Sequence, residues 1–308
     1  MVGINKNLQD TEALDVANNL VWYVAYGTNM LIERFMVYIN GGIFRGKGKA
    51  KEVCAEKFPS SANKPFLIPY ELYFGKVSKT WDNGGVAFID ADKPGTALGR
   101  AYLITEKQFS HIQEQEGASW YKRIIEIGKD ANGTTYKTFS GTNRHKTNPP
   151  SDSYANVMFE GICETYYPHL PYNRFHRLMN EAIKHLGKPY ASSINSNGKG
   201  PNAFDCVWFV YHVFSESGVY DNLKKHFMTT FVGKALKKIK ATELKREGDV
   251  LLFCKPPDKE IKHVGIYIGH NLIIHASQPI PGTGSVRIDD ITKDDWSERL
   301  VALGRISE

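Results

Sequence analysis

His263-Val264-Gly265-Ile266-Tyr267-Ile268-Gly269-His270-Asn271-Leu272-Ile273-Ile274-His275 is the stretch on which the fold turns. Two apolar, β-branched runs flank Gly269-His270-Asn271, the composition of a β-hairpin with a tight turn. His263 and His275 are twelve positions apart. A hairpin centred near Gly269 therefore sets them opposite or diagonal on one face of the ladder, with β-carbons about 4.5 to 8 Å apart. His270 falls at the tip and reads as a turn residue. A further strand-like run lies at residues 249–253, and two helical patterns precede it, at residues 172–186 and from Asp205 onward. Helices followed by an antiparallel array, with no crossover between strands, predict an α+β fold.

Upstream, Phe204-Asp205-Cys206-Val207-Trp208-Phe209-Val210 reads as a helix start. Asp205 is the N-cap, and Val207, Val210, Val213 and Phe214 form the buried stripe. Cys206 then stands in the first turn, where exposed N–H groups and the positive end of the dipole favour a thiolate. A thiol nucleophile, an imidazole base (His263) and a second imidazole that orients it (His275) are thereby all at hand. The alternative for the same three residues is a zinc site, which lacks a fourth ligand at metal spacing. The expectation is no metal and no cofactor. Cys54, Cys163 and Cys254 stand far apart without a C-x-x-C pair and read as packing residues.

The 308 residues, 42% hydrophobic and 12% aromatic, suit two compact domains and exclude disorder. No apolar run approaches the roughly 20 residues a bilayer crossing needs. Residues 1–19 are polar and lack the features of a secretory signal, so the chain reads as cytoplasmic when synthesised, with export by a signal-independent route left open. A formal charge of +6 is mild for this length. Much of it lies in Lys224, Lys225, Lys234, Lys237, Lys238, Lys240, Lys245 and Arg246, read as a solvated helix face. Without stacking aromatics or a reading motif, nucleic acid is not an expected partner.

The first half alternates strand-like runs (residues 20–26, 71–77, 85–89, 99–104 and 123–127) with turn clusters such as Asp82-Asn83-Gly84-Gly85 and Lys93-Pro94-Gly95. Thr105-Glu106-Lys107-Gln108 has the form of a capping box, opening a helix that should end at Gly117. Glu114 and Glu116 fall in its last turn, where the negative end of the helix dipole raises a carboxylate's pKa toward that of a general base. The polar stretch 140–153 reads as a surface loop. Pro168 and Pro171 then break the chain, giving domains at residues 1–171 and 172–308.

Tyr23-Val24-Ala25-Tyr26-Gly27-Thr28-Asn29 resembles the Y-G-S-N loop of the gamma-glutamylcyclotransferase family, and Glu114-Gln115-Glu116-Gly117 resembles the helix end carrying that family's acid/base glutamate. Lys79-Thr80-Trp81 with Gly84-Gly85-Val86-Ala87, and Pro149-Pro150 with Tyr154, agree in order. The resemblance implies a mixed, barrel-like sheet in the first domain. It implies Glu116 as the base that lets a free α-amine attack its own γ-carbonyl, releasing 5-oxoproline. It further implies Tyr26, Gly27, Thr28 and Asn29 as the loop that cradles the glutamyl end, and Tyr121 and Tyr154 as pocket walls. Thr28 stands where the family usually has serine.

The second half resembles the NlpC-type papain-like cysteine peptidases. The matching pieces run from Ala182-Ile183-Lys184-His185-Leu186-Gly187-Lys188-Pro189-Tyr190 through Phe204-Asp205-Cys206 and Gly248-Asp249-Val250 to His263-Val264-Gly265 and His275-Ala276-Ser277. The resemblance implies a papain-like domain with Cys206 as nucleophile, His263 as base and His275 as orienter. Its usual bond is the γ-D-glutamyl link to a diamino acid in bacterial cell-wall peptides. Val207-Trp208 stand where the family usually has Ser-Gly. The expected partner is a gamma-glutamyl peptide or peptidoglycan fragment; both domains are expected to act on gamma-glutamyl amides, on a shared substrate or on separate ones. The alternatives are a first domain that only binds or targets, in a chain that could be a bacterial toxin, and a second domain that is an acyltransferase.

Overall fold

The computed structural model describes residues 19–56, 62–117, 119–191, 202–219, 236–257, 260–278 and 284–306. The chain divides into two compact units. The first comprises Met1–Tyr70, Gly75–Lys93 and Ala97–Pro168, and the second Glu71–Phe74, Pro94–Thr96 and His169–Glu308.

Apart from Glu71–Phe74 and Pro94–Thr96, which fall within β4 and β5, the first unit runs β1 (Leu20–Ala25), a 3₁₀ turn (Thr28–Met30), α1 (Ile32–Asn40), β2 (Gly41–Phe44), β3 (Lys47–Val53), β4 (Asn63–Ser78), β5 (Gly84–Thr105), α2 (Glu106–Gly117), β6 (Arg123–Lys129), β7 (Thr135–Ser140) and α3 (Asp152–Tyr166). Its main sheet has the order β6-β7-β1-β5, with β4 also on β5, and β2 and β3 form a separate pair. β1 is antiparallel to β5 from Leu20↔Thr105 to Ala25↔Arg100 and parallel to β7. The unalternating sequence LVWYVA suits that central place, because both its faces are buried. The sheet is mixed and, among the described residues, does not close into a barrel.

Local chemistry explains why the chain turns where it does. Thr105 N donates to Gln108 Oε1 and Gln108 N to Thr105 Oγ1, each at 3.1 Å, so the capping box is made in both directions at the start of α2. Gly117 ends that helix at φ +96°. A β-carbon on Gly84 or Gly85 would meet Ser151 N at 2.2 Å or Asn148 O at 2.0 Å. Only glycines let the segment before α3 lie against β5, and Gly85 N donates to Pro149 O at 2.7 Å. One expectation fails: Lys93-Pro94-Gly95 is not a break between strands, since β5 runs unbroken from Gly84 to Thr105.

The second unit runs α4 (Arg174–Ile183), α5 (Cys206–Glu216), β8 (Leu236–Lys240), β9 (Val250–Cys254), β10 (Ile261–Tyr267), β11 (Leu272–Ser277), β12 (Ser285–Asp290), α6 (Trp296–Arg299) and β13 (Leu300–Ile306). The strand order is β12-β11-β10-β9-β13-β8, with every pairing antiparallel. The architecture is therefore α+β throughout. The expected helix face of lysines is not seen where the residues are described. Lys237, Lys238 and Lys240 lie exposed on β8, the end strand of this sheet, rather than on a helix, and Lys224, Lys225 and Lys234 lie outside the described residues. Leu251, Phe253, Tyr267, Ile273, Ile291, Trp296 and Leu303 form one apolar cluster of the sheet, while Phe209, Val210, Val213 and Phe214 bury the stripe of α5. No described helix is long and apolar enough to cross a membrane.

Candidate functional site

In the second unit, Asp205 caps α5 by accepting from Trp208 N at 2.6 Å, which fixes Cys206 at the first helical position. Cys206 is 7% exposed, and its sulfur takes a hydrogen bond from the backbone of Val264, the neighbour of His263. The hairpin registers Ile266 with Ile274 and Tyr267 with Ile273, so Gly265 falls opposite His275 and His263 lies diagonal to it on the same face. His263 Nε2 meets His275 Nδ1 at 2.7 Å. A β-carbon on Gly265 would approach His275 Cβ to 3.1 Å, so a side chain there would crowd the contact between the rings. His270 and Asn271, at φ 52° and 59°, form the turn as expected.

The chain of contacts goes further than the sequence suggests. His275, wholly buried, places Nε2 3.0 Å from Asp289 Oδ2, and Asp289 Oδ1 accepts from Arg287 Nε at 2.8 Å. An ionised carboxylate can only accept, so His275 carries its proton on Nε2 and its Nδ1 accepts from His263 Nε2–H. That leaves His263 Nδ1 as the free lone pair. Burial alone would raise the Asp289 carboxyl, but the His275 hydrogen bond and the Arg287 guanidinium hold it below the ordinary range. Trp296 lies against both imidazoles, with centroids at 5.5 and 5.2 Å. Burial, His275 and Arg299 push His263 well below the usual imidazole range. Burial and the Asp205 charge push the Cys206 thiol up to about 11. This corrects the expected thiolate: desolvation outweighs the backbone N–H groups at the helix start, so thiol and base are both neutral at rest.

Sequence reasoning missed Asp289 and Arg287. Their strand pairs His275↔Arg287 and Ile273↔Asp289, and the signal was an opposite-charge pair two apart, hence on one face, in the strand-like run that follows the hairpin. Elsewhere in this unit Glu181, His185 and His212 bring ligand atoms within 4.8 Å of one another. His185 Nε2 is 3.0 Å from Glu181 Oε1 and its Nδ1 is 2.8 Å from Lys188 Nζ. The Lys188 ammonium beside the ring makes this an awkward cradle for a cation.

In the first unit the Tyr26-Gly27-Thr28-Asn29 loop, Glu116, Tyr121 and Tyr154 line one pocket with about 440 Å³ of atom-free space, part of it open to solvent. Asn29 Nδ2 donates to Glu116 Oε1 at 2.7 Å and to Tyr23 Oη at 3.3 Å. Tyr38 also hydrogen-bonds Glu116; burial drives its phenol, like that of Tyr23, well above the ordinary range, and the Glu116 charge adds to both shifts. Tyr154 Oη accepts from Ala87 N at 3.0 Å and from the Thr28 backbone, so the Thr28 N–H serves the loop itself rather than a ligand. A β-carbon on Gly27 would lie 2.6 Å from that phenol oxygen. Tyr121 Oη donates to Ala87 O and Tyr26 Oη to Phe139 O. Glu114 is exposed and outside the pocket. Trp81, Tyr23 and Arg34 also line it; none was singled out as a site residue from sequence.

The NlpC/P60 family model matches residues 187–305. A probable endopeptidase p60 of Listeria grayi is 35% identical over 132 residues, 43% of this chain and 23% of that protein. A histone deacetylase 5 of Arabidopsis thaliana is 28% identical over 197 residues, 49% of this chain and 29% of that protein. The chain thus spans less than a third of the length of either. A solved gamma-glutamyl cyclotransferase is 25% identical, covering 49% of this chain and 82% of that one, at a TM-score of 0.36. Residues 187–305, which hold Cys206, the His263–His275 pair and Asp289, are a domain of the NlpC/P60 family.

Proposed function

We propose that the chain carries two chemistries on gamma-glutamyl amides, divided between residues 1–171 and 172–308. The second is thiol hydrolysis. As the Cys206 sulfur attacks the amide carbonyl, His263 Nδ1 takes its proton; the same proton passes to the departing amine, leaving a thioester that a water molecule deprotonated by His263 then hydrolyses. His275 holds the His263 tautomer and spreads the charge of the transient imidazolium, with Asp289 behind it. The observation that carries this reading is the unbroken hydrogen-bonded chain His263–His275–Asp289, with the backbone of Val264, next to His263, hydrogen-bonded to the Cys206 sulfur. The endopeptidase relative supports a peptide amide as the bond cut, and the motif resemblance assigns that bond to the γ-D-glutamyl link to a diamino acid in a bacterial cell-wall peptide.

In the first domain Glu116 takes a proton from the free α-amine of a gamma-glutamyl amide. The amine closes on its own γ-carbonyl, and the proton returns to the leaving amine, giving 5-oxoproline. The pocket around Glu116, with Asn29 turning its amide N–H toward the carboxylate, supports the assignment. Purified protein incubated with defined muropeptides and with gamma-glutamyl dipeptides, with products identified by mass spectrometry, tests both halves. Cys206→Ala abolishes muropeptide cleavage and leaves 5-oxoproline release; Glu116→Gln does the reverse. Muropeptide cleavage surviving in Cys206→Ala overturns the thiol mechanism. No 5-oxoproline from the parent protein makes the first domain a binding module, and acyl transfer to an added amine in preference to water makes the second an acyltransferase.

A further inference from the structure

Arg34 lies in α1, is 7% exposed and lines the Glu116 pocket. Its guanidinium sits over the rings of Tyr38, Phe44 and Trp81 at 5.0, 5.2 and 5.9 Å, which hold it in place. One donor is used, Nη2 to Tyr38 Oη at 2.9 Å. Nε is buried and meets no acceptor among the described residues, and Arg34 has no ion pair there. Buried guanidinium groups are ordinarily matched by an acceptor with negative charge, because an unmatched one is costly. The Tyr38 hydroxyl that accepts from Arg34 is also hydrogen-bonded to Glu116, so the guanidinium and the carboxylate share one phenol between them. Glu116 is also felt by a second cation, Lys51, which donates to Gln115 O at 2.5 Å and stacks 4.5 Å from the Tyr38 ring. Of the residues that line the pocket, Arg34 is the one cation and Glu116 the one carboxylate, and the two do not meet in an ion pair among the described residues.

The pocket has a second unmet group of opposite character. Asn29, 5% exposed, spends its amide N–H groups on Glu116 and Tyr23, which fixes its orientation, and its Oδ1 is buried without a donor among the described residues. A ligand that meets both needs offers a carboxylate and an N–H close together.

We propose that Arg34 is the carboxylate-binding residue of this pocket and that its ligand is an amino- or imino-acid head group, the carboxylate on Arg34 and the N–H on Asn29 Oδ1. For the ligand's identity this rests on the cyclotransferase reading, whose substrate and product both carry such a head. The unmet Arg34 Nε and Asn29 Oδ1 stand without it.

The test compares 5-oxoproline with its primary amide, which keeps the ring and N–H and lacks the charge, by calorimetric titration of the full chain. The parent binds the acid more tightly by about 10- to 100-fold, the range for a hydrogen bond to a charged group. Arg34→Gln brings the two ligands to within about threefold, and Arg34→Lys keeps part of the preference because the charge remains. The proposal is overturned if the parent binds acid and amide equally, if it binds neither, or if a folded Arg34→Gln protein retains the preference. The parent-only comparison decides the matter should Arg34→Gln fail to fold. Release of 5-oxoproline is followed in parallel: its absence with the acid preference intact sinks the cyclotransferase reading alone, and its presence without any acid preference sinks the Arg34 subsite alone.

Discussion

Asp289→Asn changes one atom pair and probes the whole relay. The carboxylate accepts from His275 on one oxygen and from Arg287 on the other; asparagine has a single acceptor to divide between them. Arg287 offers two donors to Oδ1, so the amide oxygen settles there and the NH₂ faces His275 Nε2. His275 must then accept at Nε2 and carry its proton on Nδ1, pointing at His263 Nε2. His263 in turn holds its proton on Nδ1, toward the thiol, and can no longer take one. The other orientation keeps the right tautomer but turns an NH₂ against a partly buried guanidinium, at a cost of about 1–3 kcal/mol. Loss of the charge-assisted bond behind the transient imidazolium adds about 1.5–3 kcal/mol. Together they lower kcat by roughly 10² to 10⁴, with KM changed less than about threefold. The assay is steady-state cleavage of a γ-D-glutamyl-diamino acid peptide, alongside ring ¹⁵N shifts of His263 and His275, which report the tautomers directly. A kcat within about fivefold of the parent, or a lost kcat with unchanged tautomers in a folded protein, refutes the relay.

Three further outcomes rest on the same geometry. With its thiol pushed up to about 11, Cys206 alkylates at neutral pH about 100-fold more slowly than an ordinary cysteine, and the rate climbs roughly tenfold per pH unit; faster labelling than a free thiol disproves the neutral resting pair. Gly265→Ala, whose new β-carbon stands 3.1 Å from His275 Cβ, separates the imidazoles by a few tenths of an ångström and lowers kcat about tenfold, whereas an unchanged kcat shows that the spacing tolerates a methyl group. Burial also pushes His185 down to about 4 despite Glu181. Because the unfolded chain takes up a proton near pH 6.5 that the folded chain refuses, stability falls as pH drops from there toward 4, by about 3 kcal/mol from this residue. Glu181, held at about 2, keeps its own contribution above about pH 4.5 and loses it between there and about 2. Urea midpoints near neutral pH and near pH 5 measure the loss, and His185→Leu makes it smaller.

Local patterns carried most of the fold. The Thr105/Gln108 box, the Asp205 cap and the Gly269-His270-Asn271 turn each depend on residues within four positions of one another, and each stands where the sequence placed it. The long strand through Lys93-Pro94-Gly95 was hidden because proline and glycine signal a break unless other strands hold the chain extended. The Cys206 thiol was misjudged for a related reason. Its helix start is written locally, whereas its desolvation comes from strands about sixty residues downstream. Asp289 and Arg34 escaped for the same cause. Each acquires its meaning only from a partner brought by β-pairing or by the approach of an aromatic wall.

The two proposed chemistries break the same kind of bond and differ in who attacks. Hydrolysis through Cys206 leaves a γ-carboxylate, which has no amine left to expel, so its product is spent for the Glu116 pocket. Cyclisation needs a free α-amine, which an intact cell-wall stem peptide does not present. On that chemistry the domains cannot follow one another on a single bond. A substrate open to both, a gamma-glutamyl amide with its amine free, would be contested, and the two products would differ by one water: glutamate from the thiol site and 5-oxoproline from the carboxylate site. Their ratio in the parent protein, and its collapse to one product in Cys206→Ala or Glu116→Gln, measures how the chain divides such a substrate. A single product from the parent, on every amide tried, assigns that bond to one domain and leaves the other a different ligand.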